Sequence, residues 1–330
     1  MSVTRPRRID WSAVEDLVAA KDGRTVSVVL PALNEEATVG EVVASIRPLL
    51  GGLVDDLVVM DSGSTDATAQ RAAAAGARVV TREEAVPSIA PVPGKGEVLW
   101  RSIAATTGDL IVFVDSDLID PDPMFVPRLV GPLLADRSVQ LVKAYYRRPL
   151  RIGENRDEGG GGRVTELVAR PLLSSLKPEL GTIIQPLGGE YGGTRELLSS
   201  VSFAPGYGVE IGLLIDAYDR CGIDAIAQVN LGVRKHRNRK LTELGVMSRQ
   251  IVGVLLRRCG VTDSGAALTQ FVEVDSEADS AGDQGTGRSG DIPQFMRSDT
   301  EVNLTDRPPM ATVVPASAGR AGRESIHVTP

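Results

Sequence analysis

Two aspartates separated by one residue follow a short apolar run near the middle of the chain. The run is Leu110–Val114, and Asp115-Ser116-Asp117 comes directly after it. Two ionised carboxylates this close together in an apolar crevice repel each other unless a cation neutralises them. A hard divalent ion with oxygen ligands does so and keeps coordination positions open for a diphosphate. The same residues also suit a turn that closes a strand, so the motif alone leaves both interpretations open.

Two earlier apolar runs also end in polar residues. Leu57–Met60 is followed by Asp61 and Ser62, and Val26–Leu30 is followed by Pro31 and, three residues on, by Asn34 and Glu35. Polar groups at such positions can bind a base or a ribose, but good helix capping explains them equally well.

A basic segment, residues 234–240, contains His236, which with His327 makes up the two histidines of the chain. Charge runs of this kind are often solvated loops. A neutral imidazole can also complete an oxygen-rich metal site, and it suits Mn²⁺ better than Mg²⁺. We favour a metal ligand, because the basic segment complements the acidic Asp-x-Asp motif.

Glycines precede several further candidates for anion binding. Four glycines lead into Arg163 and Thr165 at a predicted helix start, where free backbone N–H groups bind anions. Lys95 lies between two glycines and could reach a pyrophosphate, and Gly192–Arg195 is a second candidate anion loop. The alternative for the glycine-rich segments is a flexible loop, and the alternative for Lys95 is an ordinary exposed lysine. Glu210 lies at the start of another predicted helix, where it could also be an ordinary surface acid.

The elements that must position these residues alternate between short apolar strands and amphipathic helices, a pattern typical of a mainly parallel sheet with helical crossovers. Ligands bind such sheets at the carboxyl ends of the strands. The predicted strands are Val26–Leu30, Leu57–Met60, Val79–Val80, Leu110–Val114, Val139–Tyr145 and Ile223–Val233. A long amphipathic helix is predicted over 242–259, with its apolar stripe in the core or in a dimer contact.

Composition excludes several classes of protein. The 330 residues carry a formal net charge of −7, so there is no overall basic field for nucleic acid. Two cysteines exclude a disulfide-dense scaffold and fit a reducing compartment. No apolar run approaches the roughly 20 residues of a membrane span. We expect a cytoplasmic protein that binds no nucleic acid and does not span a membrane.

The three strand ends, taken in order, resemble the nucleotide-sugar domain of GT-A-type glycosyltransferases. The matching segments begin at Pro31, Asp61 and Val114. The Gly-x-Gly-x-x-Gly fingerprint is absent after the first strand, which disfavours an NAD enzyme, and a Walker A motif is also absent.

Over about residues 10–260 the chain is similar to the glucosyl-3-phosphoglycerate synthases of actinobacteria. The most specific segments are residues 28–36, 114–117, 160–166 and 207–216. The resemblance implies transfer of glucose from UDP-glucose to the 2-hydroxyl of 3-phospho-D-glycerate, with retention, in methylglucose lipopolysaccharide biosynthesis. It also implies Mg²⁺ or Mn²⁺ as cofactor and a homodimer.

Site roles follow residue by residue from the same resemblance. Donor-binding residues would be Pro31, Leu33, Glu35, Ser62, Lys95, Asp115, Ser116 and Tyr207. Acceptor-binding residues would be Gly162, Arg163, Thr165, Leu187 and Asn238. Asp117 and His236 would bind the metal, and the catalytic residues would be Glu210, Asp117 and Lys95.

Four segments are predicted. Residues 1–24 hold an N-terminal helix and 25–145 form an α/β, Rossmann-like nucleotide-sugar domain with a mainly parallel sheet. Residues 146–260 form an α-rich acceptor-binding and dimerisation part. Residues 261–330, with 11 acidic and 5 basic side chains, form an acidic tail that is largely disordered or draped over the body.

Three alternatives to this function remain open at the level of sequence. A mannosyl-3-phosphoglycerate synthase would differ in the donor, and a polyprenyl-phosphate sugar transferase would share the Asp-x-Asp and Asn-Glu motifs but act on a lipid. The non-enzyme alternative is a sensor that binds a UDP-sugar on a degenerate transferase fold. Such a protein is expected to have lost the Asp-x-Asp motif or His236, and both are present here.

Overall fold

The fold is seen in a computed structural model, which describes residues 9–147, 150–152, 155–157, 162–234, 241–274 and 294–314. The strands are β1 (Val26–Ala32), β2 (Asp56–Asp61), β3 (Arg78–Thr81), β4 (Leu110–Phe113), β5 (Leu141–Arg147), β6 (Leu150–Ile152), β7 (Asn155–Asp157), β8 (Tyr191–Thr194), β9 (Ile226–Val233), β10 (Leu268–Val274) and β11 (Gln294–Thr300). The α-helices are α1 (Trp11–Ala20), α2 (Val39–Ile46), α3 (Thr68–Ala75), α4 (Arg82–Ala85), α5 (Lys95–Ala105), α6 (Phe125–Ala135), α7 (Arg170–Leu176), α8 (Arg195–Ser200), α9 (Val209–Cys221) and α10 (Leu241–Arg258).

Seven strands form the central sheet in the order β3-β2-β1-β4-β8-β5-β9. All neighbouring pairs are parallel except those of β8, which runs antiparallel to β4 and to β5. The predicted mainly parallel α/β sheet is therefore confirmed. The strand order reverses between β1 and β4, and such a switch point is where open α/β sheets bind their ligands.

Alternate residues of the strands point into two apolar layers. Val28 and Leu30 of β1 join a layer built from α1, α2, α3 and α6, whereas Val29 joins the other layer with Trp100 and the helices α5, α8, α9 and α10. The apolar stripe of α10, including Val254, is buried in this second layer, as expected for a core contact. Among the described residues, no helix is long and apolar enough to cross a membrane.

The helix that follows β1 ends as α-helix at Ile46 and continues as a 3₁₀ turn, Arg47–Leu49, because Pro48 lacks an N–H to donate. The segment after β3 begins with the short helix α4, which has a capping box at Thr81. One prediction from the sequence needs correction. The predicted division at residue 145 cuts the main sheet, because β8 and β9 from the second part complete it.

Parts of the acidic tail are folded, and some of them pack on the body of the protein. β11 pairs antiparallel with β10, and Arg307 forms an isolated antiparallel bridge with Phe203. Met310 is buried in the same layer as α5 and α9. Residues 294–314 are therefore folded, part of them against the body, so disorder does not describe this part of the tail.

The start of α5 depends on a glycine at position 96. A Cβ on Gly96 would lie 1.9 Å from the carbonyl oxygen of Ala204, which is far inside van der Waals contact. We predict that Gly96→Ala lowers the free energy of unfolding by about 1–3 kcal/mol, because the backbones must separate. Chemical denaturation measures the change.

Gly40→Ala is the matched control for this substitution. A Cβ on Gly40, also in a first helical turn, meets nothing within 4 Å, so the change should be neutral or stabilising by up to about 1 kcal/mol. Equal stabilities of the two variants would contradict the proposed close approach.

Candidate active site

One cavity of about 490 Å³ opens at the carboxyl edge of the sheet, beside the switch point between β1 and β4. Every predicted site residue within the described ranges lines it, namely Pro31, Leu33, Glu35, Ser62, Lys95, Asp115, Ser116, Asp117, Gly162, Arg163, Thr165, Leu187, Tyr207 and Glu210. His236 and Asn238 lie outside the described residues. The structure thus brings the predicted donor and acceptor residues together around a single space.

The centre of the cavity is an ion-pair cluster around Lys95. Its Nζ lies 2.7 Å from Oδ1 of Asp115 and 2.8 Å from Oε1 of Glu210. Burial disfavours the charged amine, but the two carboxylates outweigh burial and raise the pKa of Lys95 well above its usual value. Lys95 is therefore a permanent cation in the cavity at physiological pH.

Glycines allow the start of α5 to reach this position. Gly94 has a φ of 126°, and a Cβ there would lie 2.8 Å from the backbone nitrogen of Gly206. Together with Gly96, it lets the backbone on both sides of Lys95 pack on residues 204–206. A 3₁₀ turn then leads from Gly206 into α9, which carries Glu210 in its first turn. The start of α5, which supplies Lys95, is thus in direct backbone contact with the segment that leads into α9, which supplies Glu210.

A second cation, Arg234, lies beneath the Asp-x-Asp motif. Its Nη2 is 2.5 Å from Oδ2 of Asp115 and 2.9 Å from Oδ1 of Asp117, while its Nε is 2.7 Å from Oε1 of Glu190. The hydroxyl of Tyr146 donates to Oε2 of Glu190 at 2.5 Å. Burial opposes the charge of Arg234, but Glu190 and the neighbouring groups raise its pKa well above the usual value.

Sequence reasoning placed Arg234 in the basic segment but missed Glu190 and Gly189. A Cβ on Gly189 would lie 2.4 Å from Oδ2 of Asp115 and 2.7 Å from Nζ of Lys95, so only glycine leaves room for this ion pair. Both residues precede β8 in the chain. Because β8 is antiparallel, the residues before it lie at the edge where other strands end. The Gly188-Gly189 pair was the available signal.

Hydrogen bonds connect the strand ends that carry the predicted donor-binding residues. The hydroxyl of Ser116 donates to the carbonyl of Pro31 at 2.7 Å, and the backbone N–H of Ser62 donates to that of Ala32 at 2.8 Å. Asn34 adopts a positive φ of 55° and accepts a hydrogen bond from the N–H of Thr65. These links hold the loops after β1, β2 and β4 in a fixed arrangement around the cavity.

The helix that carries Arg163 and Thr165, which are predicted to bind the acceptor, differs from a regular α-helix. Helical residues begin at Arg163, but Thr165–Ala169 form a π-helical turn before α7 continues the helix. Gly162, with a φ of 86°, accepts a hydrogen bond from the N–H of Glu166. Thr165 is buried and lines the cavity together with Arg163. π-turns within α-helices occur frequently at functional sites.

The prediction of a second anion-binding loop at Gly192–Arg195 is wrong. Gly192 and Gly193 lie within β8, in the middle of the sheet. The guanidinium of Arg195 donates to the carbonyls of Gly108 and Ile103 and to the hydroxyl of Thr106, so this arginine is a structural clamp.

Asp117 is the described residue best placed to ligate a divalent metal. Its carboxylate is partly exposed to the cavity and, with Asp115, already converges on one cationic group, the guanidinium of Arg234. Carboxylate oxygens are the ligands that Mg²⁺ and Mn²⁺ take. Among the described residues, no group of three or more His, Cys, Asp or Glu side chains is arranged so that it could by itself hold a metal ion.

Comparison with known proteins gives consistent matches. Residues 27–170 match glycosyl transferase family 2. The chain is 67% identical over 308 residues to the glucosyl-3-phosphoglycerate synthase of Mycolicibacterium smegmatis, covering 93% of this chain and 96% of that protein. It is 59% identical over 311 residues to the Mycobacterium tuberculosis synthase, covering 93% and 91% of the two chains.

Solved structures of the Mycobacterium tuberculosis synthase share the fold. A complex with Mn²⁺, UDP and glucosyl-3-phosphoglycerate superposes with a TM-score of 0.80 at 57% identity, covering 95% of this chain and 99% of that one. A complex with Mg²⁺ and UDP also has a TM-score of 0.80, at 58% identity, covering 93% and 98%. The predicted GT-A-type α/β fold is confirmed by these matches. Because the identity is this high over nearly its whole length, the chain belongs to the family of glucosyl-3-phosphoglycerate synthases.

Proposed function

We propose that this protein is a metal-dependent glucosyltransferase that moves glucose from UDP-glucose to 3-phospho-D-glycerate. The observation that carries the proposal is that one cavity collects the donor-side strand ends, two fixed cations and the acceptor-side helix start. The solved relatives support the choice of substrates, because one of them holds Mn²⁺, UDP-glucose and phosphoglyceric acid together.

On the donor side, Pro31, Leu33, Glu35, Ser62 and Ser116 hold the uridine end of UDP-glucose, Asp115 contributes to the same contacts, and Tyr207 borders the sugar. Lys95 meets the diphosphate, because its charge is fixed in the cavity between Asp115 and Glu210. A mobile solvated amine would have to be ordered in the transition state, whereas this one is already in place.

Asp117 and His236 would hold a Mg²⁺ or Mn²⁺ ion together with oxygens of the diphosphate. When bound, the metal offsets the negative charge that develops on the UDP leaving group. Arg234 keeps Asp115 and Asp117 turned toward one point, and Glu190 fixes the guanidinium from the other side. The carboxylates are therefore preorganised for a cation rather than repelled into solvent.

On the acceptor side, the carboxylate and phosphate of phosphoglycerate bind at Gly162, Arg163 and Thr165, with Asn238 completing the contacts. The guanidinium of Arg163 offers a planar fork that matches either anion. When both charged ends of phosphoglycerate are held, its 2-hydroxyl is directed toward the glucose of the donor. Leu187, which also lines the cavity, borders this sugar.

We further propose retention by a front-face route, in which the departing phosphate accepts the proton of the acceptor hydroxyl. Glu210, the buried carboxylate nearest Lys95, is already engaged in an ion pair with it. Its negative charge is thereby partly neutralised, which makes it a positioning group for the cation rather than a strong nucleophile.

The first test is the release of UDP by the purified protein with Mg²⁺ or Mn²⁺. We expect release from UDP-glucose that depends on 3-phosphoglycerate, and a product whose anomeric proton retains the donor configuration by NMR. Release without phosphoglycerate, or only with GDP-mannose, contradicts the proposed substrates. An inverted product, or a trapped glucosyl-enzyme, overturns the front-face route.

Substitution of Arg163 tests the acceptor site separately. We predict that Arg163→Ala raises the KM for 3-phosphoglycerate by about 10- to 100-fold, because one or two charge-assisted hydrogen bonds are lost. The affinity for UDP, measured by calorimetry, should not change.

Arg170→Ala is the control for this variant. Arg170 lies on the same helix, pairs with Glu166 at 2.9 Å and does not line the cavity. If both substitutions change the acceptor KM equally, or neither does, Arg163 does not bind the acceptor.

We also propose that the protein is a homodimer, with the β10–β11 hairpin at its interface. Phe271 and Phe295, which share one face of this hairpin by its register, have exposed fractions of 67% and 60%. A two-stranded hairpin is marginally stable by itself in water, and a second copy of the chain would cover these side chains.

Light scattering coupled to size exclusion tests the dimer. We expect a dimer for the native chain and a monomer for Phe271→Ser/Phe295→Ser, since polar groups would then be buried at the interface. Trp11→Ser, which changes another half-exposed aromatic residue far from the hairpin in sequence, should stay dimeric. A monomeric native chain, or a dimeric double variant, contradicts the proposal.

A cytoplasmic location is proposed from the cysteines. Cys221 and Cys259 are both free, which fits a reducing compartment. Fractionation of cells that produce the protein should place it with cytosolic markers, and recovery with the secreted fraction would contradict this.

A further inference from the structure

The guanidinium of Arg307, from the predicted acidic tail, is fastened to both sides of the segment that carries Lys95. Its Nε lies 2.5 Å and its Nη2 2.9 Å from the two carboxylate oxygens of Glu97, in the first turn of α5. The same Nη2 donates to the carbonyl of Ala90 at 2.9 Å. One side chain, 210 residues away in sequence from Glu97, therefore ties the loop before Lys95 to the helix turn after it.

Glu97 is a fully buried carboxylate, so its orientation is strongly determined. Besides Arg307, it accepts a hydrogen bond from Nε of Arg101 at 2.6 Å, one helical turn further on. Arg101 is itself fully buried and donates its remaining hydrogen bonds to the carbonyls of Arg82, Val86 and Ile89. Because a buried carboxylate requires hydrogen-bonded partners, removing Arg307 leaves part of this charge uncompensated.

The backbone of Arg307 also holds the segment on which α5 packs. Its N–H donates to the carbonyl of Phe203 at 2.8 Å, and its carbonyl accepts from the N–H of Phe203 at 3.0 Å. Ala204, the next residue, is the one that Gly96 touches. On the following turn of α5, the indole N–H of Trp100 donates to the carbonyl of Pro308 at 2.7 Å. Arg307 thus joins the two segments whose contact forms the Lys95–Glu210 pair.

We propose that Arg307 is a positioning residue for Lys95, which it holds in the cavity by fixing residues 90–97 against residues 203–206. The inference rests on the proposed function only in that Lys95 meets the diphosphate of the donor. It assigns to the C-terminal region a role in donor binding, although Arg307 does not line the cavity.

The test compares binding of two ligands by calorimetry in Arg307→Gln. We expect the Kd for UDP with Mg²⁺ to rise about tenfold, since a charge-assisted contact of Lys95 is displaced. The Kd and stoichiometry for 3-phosphoglycerate should not change, because its site lies on the 162–165 helix start. Arg307→Lys keeps a positive charge beside Glu97 but loses the second nitrogen that binds its carboxylate. We expect this variant to recover part of the UDP affinity that Arg307→Gln loses. Such recovery would show that the loss in Arg307→Gln is not caused by misfolding alone.

Arg257→Gln is the matched control. Arg257 also binds the same C-terminal region, with its Nη2 2.6 Å from Oδ1 of Asp306, but it anchors that region to α10 and not to α5. We expect both affinities of this variant to equal those of the native chain. If it lowers UDP affinity as much as Arg307→Gln does, any loosening of the C-terminal region is sufficient and the assignment to Arg307 fails.

A double-mutant cycle with Lys95→Ala decides whether Arg307 acts through Lys95. In the Lys95→Ala background, Arg307→Gln should change the Kd for UDP by less than about twofold, whereas independent effects would add in full. Additive losses, an unchanged UDP affinity in Arg307→Gln, or equal losses for both ligands would overturn the proposal. A native chain that does not bind UDP would instead refute the proposed function, and with it the ligand of Lys95.

Discussion

The repulsion among carboxylates crowded around one cavity is the constraint on which the rest of the site depends. Glu190 and Glu210 are buried, Asp115 and Asp117 are partly exposed beside them, and withdrawing such charges from water is costly unless each has a close partner. Lys95 and Arg234 supply these partners, and each of the two cations bridges more than one acid. This pairing requires a glycine at position 189, because a Cβ there would separate Lys95 from Asp115. It also requires the close backbone packing at the start of α5, which brings Lys95 to Glu210.

The topology explains how groups distant in sequence reach this cluster. In a parallel sheet the chain leaves every strand at the same edge, so β1, β4 and β9 deliver Leu33, Asp115 and Arg234 to one side. The antiparallel strand β8 reverses this rule and delivers the residues that precede it, Gly189 and Glu190. Gly189 and Glu190 therefore lie at the edge of the sheet where the loops after the parallel strands lie. β8 supplies a small residue and a buried acid there.

Sequence reasoning succeeded where the signal is local. An apolar run followed by Asp115 or Pro31 marks a strand end without any knowledge of the partner strands, and the sheet then brings those ends together. It missed Glu190, because the direction of β8 cannot be inferred from four residues. It also missed Arg307, in a tail predicted only to be largely disordered or draped over the body, because an ion pair with a glutamate 210 residues earlier leaves no periodic pattern. The π-turn at Thr165–Ala169 was likewise invisible, since helix patterns do not reveal one extra residue.

That π-turn separates two demands on a single helix. In a continuous α-helix each residue adds a rotation of about 100°, so the directions of Arg163 and Thr165 would be fixed by the packing of Leu173, which follows them in the same helix. One additional residue in the turn changes this angular relation between the two halves of the helix. Arg163 and Thr165 line the cavity while Leu173 packs in the buried apolar layer. A single inserted residue thus lets one helix serve both the cavity wall and the core.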